Sequence, residues 1–171
     1  MRRARGTAIV SCLDDLPRVL EIEAMRRCDE ASDPGRDLDL IGHSTRVHHL
    51  LRIGATVVDL LDLGIRRFFE QLARDGLLGA VKVESVRLLG CETAVSPSGQ
   101  RTLRTLAAIL QLPVYGTRKR LSRFHYSAQG LQLQFRSLLV EGCPSGARSI
   151  RRALAPACLV PEALRTPFSR S

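Results

Sequence analysis

Two residues in this chain have the type and the setting for nucleophilic chemistry. His43 closes the run Asp37-Leu38-Asp39-Leu40-Ile41-Gly42-His43, and Cys91 closes the run Ser85-Val86-Arg87-Leu88-Leu89-Gly90-Cys91. Each run is an apolar stretch of strand length that stops at a glycine and then presents one reactive side chain. A thiol becomes a strong nucleophile when a nearby base takes its proton, and a Cys with a His distant in sequence but close in space is the arrangement that does this. The chemistry on offer is attack on a carbonyl carbon, with the imidazole moving the proton. The plainer alternative makes Cys91 a small apolar filler and His43 a hydrogen-bonded structural residue.

For the pair to meet, the two runs must lie side by side. A strand buried on both faces of a parallel sheet reads as a continuous apolar run, and open α/β sheets gather ligands beyond the carboxyl ends of their strands. Cys91 lies 48 positions after His43, which leaves room for the crossover that neighbouring parallel strands require. The crossover helix is expected from about Val58 to Leu78, with Leu61, Ile65, Phe68, Phe69 and Leu72 on its apolar side and Gly76 and Gly79 ending it. Ahead of it, residues 49–58 read as a small hairpin or an excursion at the sheet edge.

The remaining elements repeat the alternation. Thr7 to Cys12 reads as a first strand, and Asp14 or Asp15 caps a helix that runs to about Cys28 with Pro17 in its first turn. Ser96-Pro97 reads as the cap and first residue of another helix, carrying Leu103, Leu106, Ala107 and Leu110 at helical spacing. Residues 113–117 make a further strand, and Leu131 to Glu141 a last strand or helix. Strands alternating with helices give an α/β class with a mainly parallel sheet. Residues 1–142 form one domain, and the Pro, Gly, Ser and Arg content of 143–171 indicates a loosely packed or partly disordered tail.

Composition narrows the function classes. A hydrophobic content of 44% and a charged content of 25% are those of an ordinary globular protein. No apolar run is long enough to span a bilayer, and residues 8–10 are too short for a signal-peptide core, so a cytoplasmic location is expected. A formal net charge of +9 invites a nucleic-acid partner, but the arginines are dispersed, and 4% aromatic content without Trp leaves little for base stacking. The five cysteines include no CxxC pair, which suits free thiols in a reducing compartment. His48 and His49 beside His43 suggest a metal only weakly, since neighbours on a strand face opposite ways. Neither metal nor cofactor is expected.

The blocks Asp39-Leu40-Ile41-Gly42-His43-Ser44 and Arg87-Leu88-Leu89-Gly90-Cys91-Glu92 resemble the caspase-like cysteine peptidases, the group of caspases, gingipains, clostripain, separase and the self-cleaving domains of bacterial toxins. Leu89-Gly90-Cys91-Glu92-Thr93-Ala94, Gly99 and Val114-Tyr115-Gly116-Thr117 are also similar to a caspase-like domain of very large bacterial surface proteins. The resemblance covers about residues 37 to 130. It implies a three-layer α/β sandwich, with Cys91 as nucleophile, His43 as acid/base and the backbone N–H groups of Ser44 and Cys91 as oxyanion donors. Two departures stand out: Ser44 occupies a position where the family has Gly, and only one strand-helix unit precedes the His strand where two are usual, leaving room for a trimmed fold.

The activity implied is hydrolysis of a peptide or protein substrate. Asp14, Asp15 and Glu92 would favour a basic residue before the scissile bond; Arg118, with Lys119 and Arg120, would favour an acidic one. The alternative is a catalytically silent module of the same fold that binds a protein partner, with nucleic acid a lesser option.

Overall fold

The runs that end at His43 and Cys91 form neighbouring parallel strands. The computed structural model describes residues 12–26, 35–127 and 130–142. A 3-10 turn over Leu13–Asp15 leads into α1 (Leu16–Arg26), then β1 (Arg36–Ile41), β2 (His43–Ser44), β3 (Leu51–Ile53) and β4 (Thr56–Val57). The chain continues through α2 (Leu63–Arg74), α3 (Leu77–Ala80), β5 (Val83–Leu89), α4 (Pro97–Leu110) and β6 (Val114–Thr117). It ends with the short pair β7 (Tyr126–Ser127) and β8 (Gly130–Leu131), a 3-10 stretch over Leu133–Leu138, and β9 (Leu139–Glu141). The main sheet has the order β1-β5-β6-β9, parallel except for β9. The class is therefore mixed α/β with a mainly parallel sheet. Among the described residues no helix is long and apolar enough to cross a membrane.

Two successive crossovers step the same way along the sheet, β1 to β5 and β5 to β6. With right-handed connections both sets of helices fall on one face, and α2 indeed packs against α4. Leu40, Val86, Leu88 and Val114 join Leu16, Leu20, Phe69, Leu72, Leu103 and Leu106 in one apolar cluster. Burying each such side chain contributes roughly 1.5–3 kcal/mol, so this face carries most of the stability.

The opposite face is ionic. Residues 37 and 39 on β1 lie in register with 85 and 87 on β5, and alternation puts all four side chains on the side away from the helices. Arg87, only 5% exposed, donates from Nη1 to Asp37 at 2.9 Å and from Nε to Asp39 at 2.5 Å. Ser85 donates to Asp37 at 2.6 Å. Residues 121–127 and 130–138 cover this face: the Leu131 N–H donates to Asp39 at 3.1 Å and Arg136 reaches Asp37 at 3.3 Å. Gly130, at φ +93, has to be glycine, since a Cβ there would lie 2.4 Å from Asp39 Oδ2.

Several local expectations change. Of the strand read at residues 7–12, only Cys12 is described, and it lies in a bend, not a strand. Asp14 and Asp15 do not cap α1; they sit inside the 3-10 turn, which has no side-chain cap, and the helix begins at Leu16. The helix read from Val58 starts later because Val58 is tied back to β3, its N–H donating to Leu51 O at 2.7 Å. Asp62 then caps α2, accepting from the N–H groups of Gly64 and Ile65, and Gly76 at φ 67 separates α2 from α3. His48 and His49 lie in the turn between β2 and β3, not on a strand. The C-terminal tail, like the end of the α1 reading at Cys28, falls outside the described residues.

Removing one partner from a buried ion pair strands the other charge. Asp39→Ala should therefore cost on the order of 3 kcal/mol, lowering the urea midpoint with little change in slope, while Asp39→Asn should cost less.

Candidate active site

The register Ile41↔Leu89 sets the two reactive residues level, each two positions beyond its strand's last pair. Gly42 N–H donates to Leu89 O at 3.2 Å and continues that register one step. Steric room explains both glycines. A Cβ on Gly42 would lie 2.1 Å from Arg52 O, and one on Gly90 would lie 2.8 Å from Ser44 Oγ and 2.9 Å from Leu51 Cδ1. Beyond them His43 and Cys91 line one open cleft of about 520 Å³, with Ile41, Ile53, Leu121 and Tyr126 as its larger apolar walls.

His43 is carried by the small antiparallel sheet β2-β3-β4, the edge hairpin expected from residues 49–58. Thr45 N–H donates to Leu50 O at 2.9 Å, which makes 45/50 a hydrogen-bonded pair. In an antiparallel ladder bonded and non-bonded pairs alternate, so the facing pair Ser44↔Leu51 is non-bonded. The Ser44 N–H therefore points away from β3. Leu51 O agrees, since it accepts from Val58 instead. The Ser44 hydroxyl is buried against Gly90 and has no hydrogen-bond partner.

Cys91 is held by the loop between β5 and α4, and two buried threonines lock that loop. Thr93 donates to Leu88 O at 2.8 Å and accepts from the Thr117 N–H at 2.9 Å, while the Thr117 hydroxyl donates to Gly90 O. The N–H groups of Glu92 and Ala94 donate to Lys119 O and Thr117 O. Among the described residues no hydrogen bond uses the Cys91 N–H. The loop then turns into α4, where Ser96 accepts from Gly99 N–H at 2.9 Å with Pro97 as first helical residue, as the sequence indicates.

The segment 121–126 forms the far wall. The Cys91 thiol donates to Leu121 O at 3.8 Å, and the Tyr126 hydroxyl to Leu89 O at 3.4 Å. Burial, with Cys91 and then Asp39 adding to it, pushes the Tyr126 phenol up from 10.0 to about 12. His125 fixes the turn: its Nδ1 accepts from Ser122 N–H at 2.9 Å, which requires Nδ1 unprotonated and places the ring proton on Nε2.

His43, Ser44 and Cys91 thus come together; the proposed pocket residues do not join them. Glu92 follows Cys91 but turns its carboxylate to His49, with Oε2 3.4 Å from Nδ1. Arg118 is exposed and its N–H is tied to Leu138 O. Asp14 and Asp15 are exposed in the 3-10 turn, and none of these four lines the cleft. The charged side chains that do line it beside His43 are Arg52 and Arg123, neither marked by any motif. Among the described residues no group of three or more His, Cys, Asp or Glu is placed to hold a metal ion. No family model matches the chain, and neither a curated protein nor a solved structure does.

Two outcomes follow from this geometry. Ser44→Ala removes a buried hydroxyl that has no partner, so it should stabilise the fold by about 1 kcal/mol, read as a higher urea midpoint. For Tyr126, a folded pKa above the unfolded value means its contribution is complete below pH 10 and lost as pH rises toward about 12. Tyr126→Phe should flatten that alkaline loss of stability and remove the later phase of phenolate absorbance.

Proposed function

We propose that the chain is a cysteine peptidase of caspase-like type, in which Cys91 attacks a peptide carbonyl and His43 is the acid/base. The observation that carries this reading is the shared level of the two residues, each just beyond its own strand in an adjacent parallel pair and both lining one cleft. The mainly parallel sheet, with β1 beside β5 and β5 beside β6, supports the reading at the level of fold class. The finer assignment, a three-layer sandwich trimmed at its N-terminus, belongs to the same proposal.

The steps balance as an acyl transfer. His43 takes the thiol proton; the Cys91 sulfur bonds to the carbonyl carbon, whose oxygen becomes an oxyanion. The N–H groups of Ser44 and Cys91, both left free by the surrounding ladders, supply its donors, each typically contributing a few kcal/mol to the transition state. Collapse breaks the C–N bond as His43 gives its proton to the leaving amine. Water, deprotonated by His43, then releases the acid and restores the thiol. A free thiol of this kind persists in a reducing compartment such as the cytoplasm. The peptide or protein substrate would lie in the cleft between the β2–β3 hairpin and residues 121–126.

Ser44 supports the second reading. Its hydroxyl packs against Gly90 at the entrance to the nucleophile loop, and crowding there favours a silent module that holds a protein partner.

Alkylation and cleavage separate the readings. In a background with Cys12, Cys28, Cys143 and Cys158 replaced by Ser, iodoacetamide should label Cys91 rapidly, and His43→Ala should slow that labelling about tenfold or more. Cys91→Ala should abolish cleavage of a mixed peptide library while leaving the unfolding transition intact. Rapid labelling with no cleavage, unaltered by Ser44→Gly, would decide for the silent module.

A further inference from the structure

The two halves of the cleft belong to different sheets. His43 is paired to β3 in the small sheet, and Cys91 lies in the loop after β5 of the main sheet. Covalent continuity through Gly42 fixes one end of the hairpin, so something else has to hold its far end, the turn at 46–49, against the Cys91 loop. Two contacts do so. The Ser96 hydroxyl, already the cap of α4, donates to His48 O, and His49 Nδ1 faces the Glu92 carboxylate at 3.4 Å with both side chains only 30% exposed.

The backbone at this contact is unusual. His49 has φ 51 and Glu92 has φ 61, a left-handed region that glycine enters freely and other residues rarely. A glycine would relax either position, yet each carries a side chain, and the two side chains meet. Both backbones are also anchored, His49 N–H on Thr45 O at 3.1 Å and Glu92 N–H on Lys119 O at 3.2 Å. The left-handed turn at Glu92 sends its carboxylate toward the hairpin, one residue from the nucleophile.

We propose that His49 and Glu92 form a clamp between the hairpin turn and the Cys91 loop, making them positioning residues that set the spacing of His43 and Cys91. This rests on the reading of those two as a dyad. Neither clamp residue touches substrate; each acts through the segment it holds.

Glycine variants keep the backbone and delete the contact. In the full chain with Cys12, Cys28, Cys143 and Cys158 replaced by Ser, His49→Gly and Glu92→Gly should each slow Cys91 alkylation by iodoacetamide on the order of tenfold to a hundredfold, with no loss in unfolding temperature. The double variant should be no slower than the worse single one. His49→Asn, which tolerates left-handed backbone and keeps an N–H donor, should restore the rate to near that of the parent chain. Unchanged alkylation in the glycine variants, independent losses that multiply, or failure of His49→Asn to rescue would each overturn the proposal. If His43→Ala leaves labelling of Cys91 unchanged, the dyad reading has failed, and the clamp is decided by amide exchange alone. Faster exchange in both 44–50 and 91–96 in either glycine variant would then support it as a link between the segments. Unchanged exchange would overturn it.

Discussion

Arg87 bridges two carboxylates of the neighbouring strand, and the rest of the structure hangs on the register this fixes. Slipping β1 by one residue against β5 would turn Asp37 and Asp39 into the apolar cluster and Leu38 and Leu40 out of it. The guanidinium spans Asp37 and Asp39 at once, so a slip by two residues would also leave a buried charge unpaired. In return Ile41 stays opposite Leu89, and the cleft residues beyond them stay level. An ion pair with little exposure contributes less to net stability than its geometry suggests, because both partners lose water. Its role here is to choose one alignment among several that the apolar pattern alone would allow.

The same strands show what could be read from the sequence. The runs to Gly42 and Gly90 were legible as strands because their leucines, isoleucine and valine are apolar and a glycine ends each; that Asp37, Asp39, Ser85 and Arg87 make the second face ionic was not. Ser96-Pro97 was legible because a cap is a local contract between a side chain and the next turn. The covering segment was not. Residues 121–127 and 130–138 form 3-10 turns and a two-residue ladder with no apolar period, and their hold on the sheet comes from single polar contacts far apart in sequence. Tyr126 and Arg123 reach the cleft through that geometry, and Arg52 through its place opposite His43 on β3. Glu92 misled for a related reason: its place beside Cys91 suggested a pocket wall, but its left-handed backbone turns the carboxylate to the hairpin.

Two of the four described non-glycine residues with left-handed backbone, His49 and Glu92, lie where the hairpin meets the Cys91 loop. A non-glycine residue in the left-handed region costs about 1–3 kcal/mol when its surroundings hold it there, and these two side chains meet at that contact. Ser44, with its unpartnered hydroxyl, lies against Gly90, close to Glu92 in sequence. A site built this way is stiff because the neighbouring Thr93–Thr117 lock and the capped α4 are stable enough to impose it.

The covering segment also sets an order of assembly. Leu131 and Arg136 bind carboxylates 92 and 99 positions earlier in the chain, contacts whose loop-closure entropy makes them late on any folding route. During vectorial synthesis the thiol, the imidazole and both glycines are made well before the wall at 121–126 and the residues that pin it. The nascent chain therefore carries its reactive groups without a finished cleft, and the cleft can close around them only once Leu131 and Arg136 have been made.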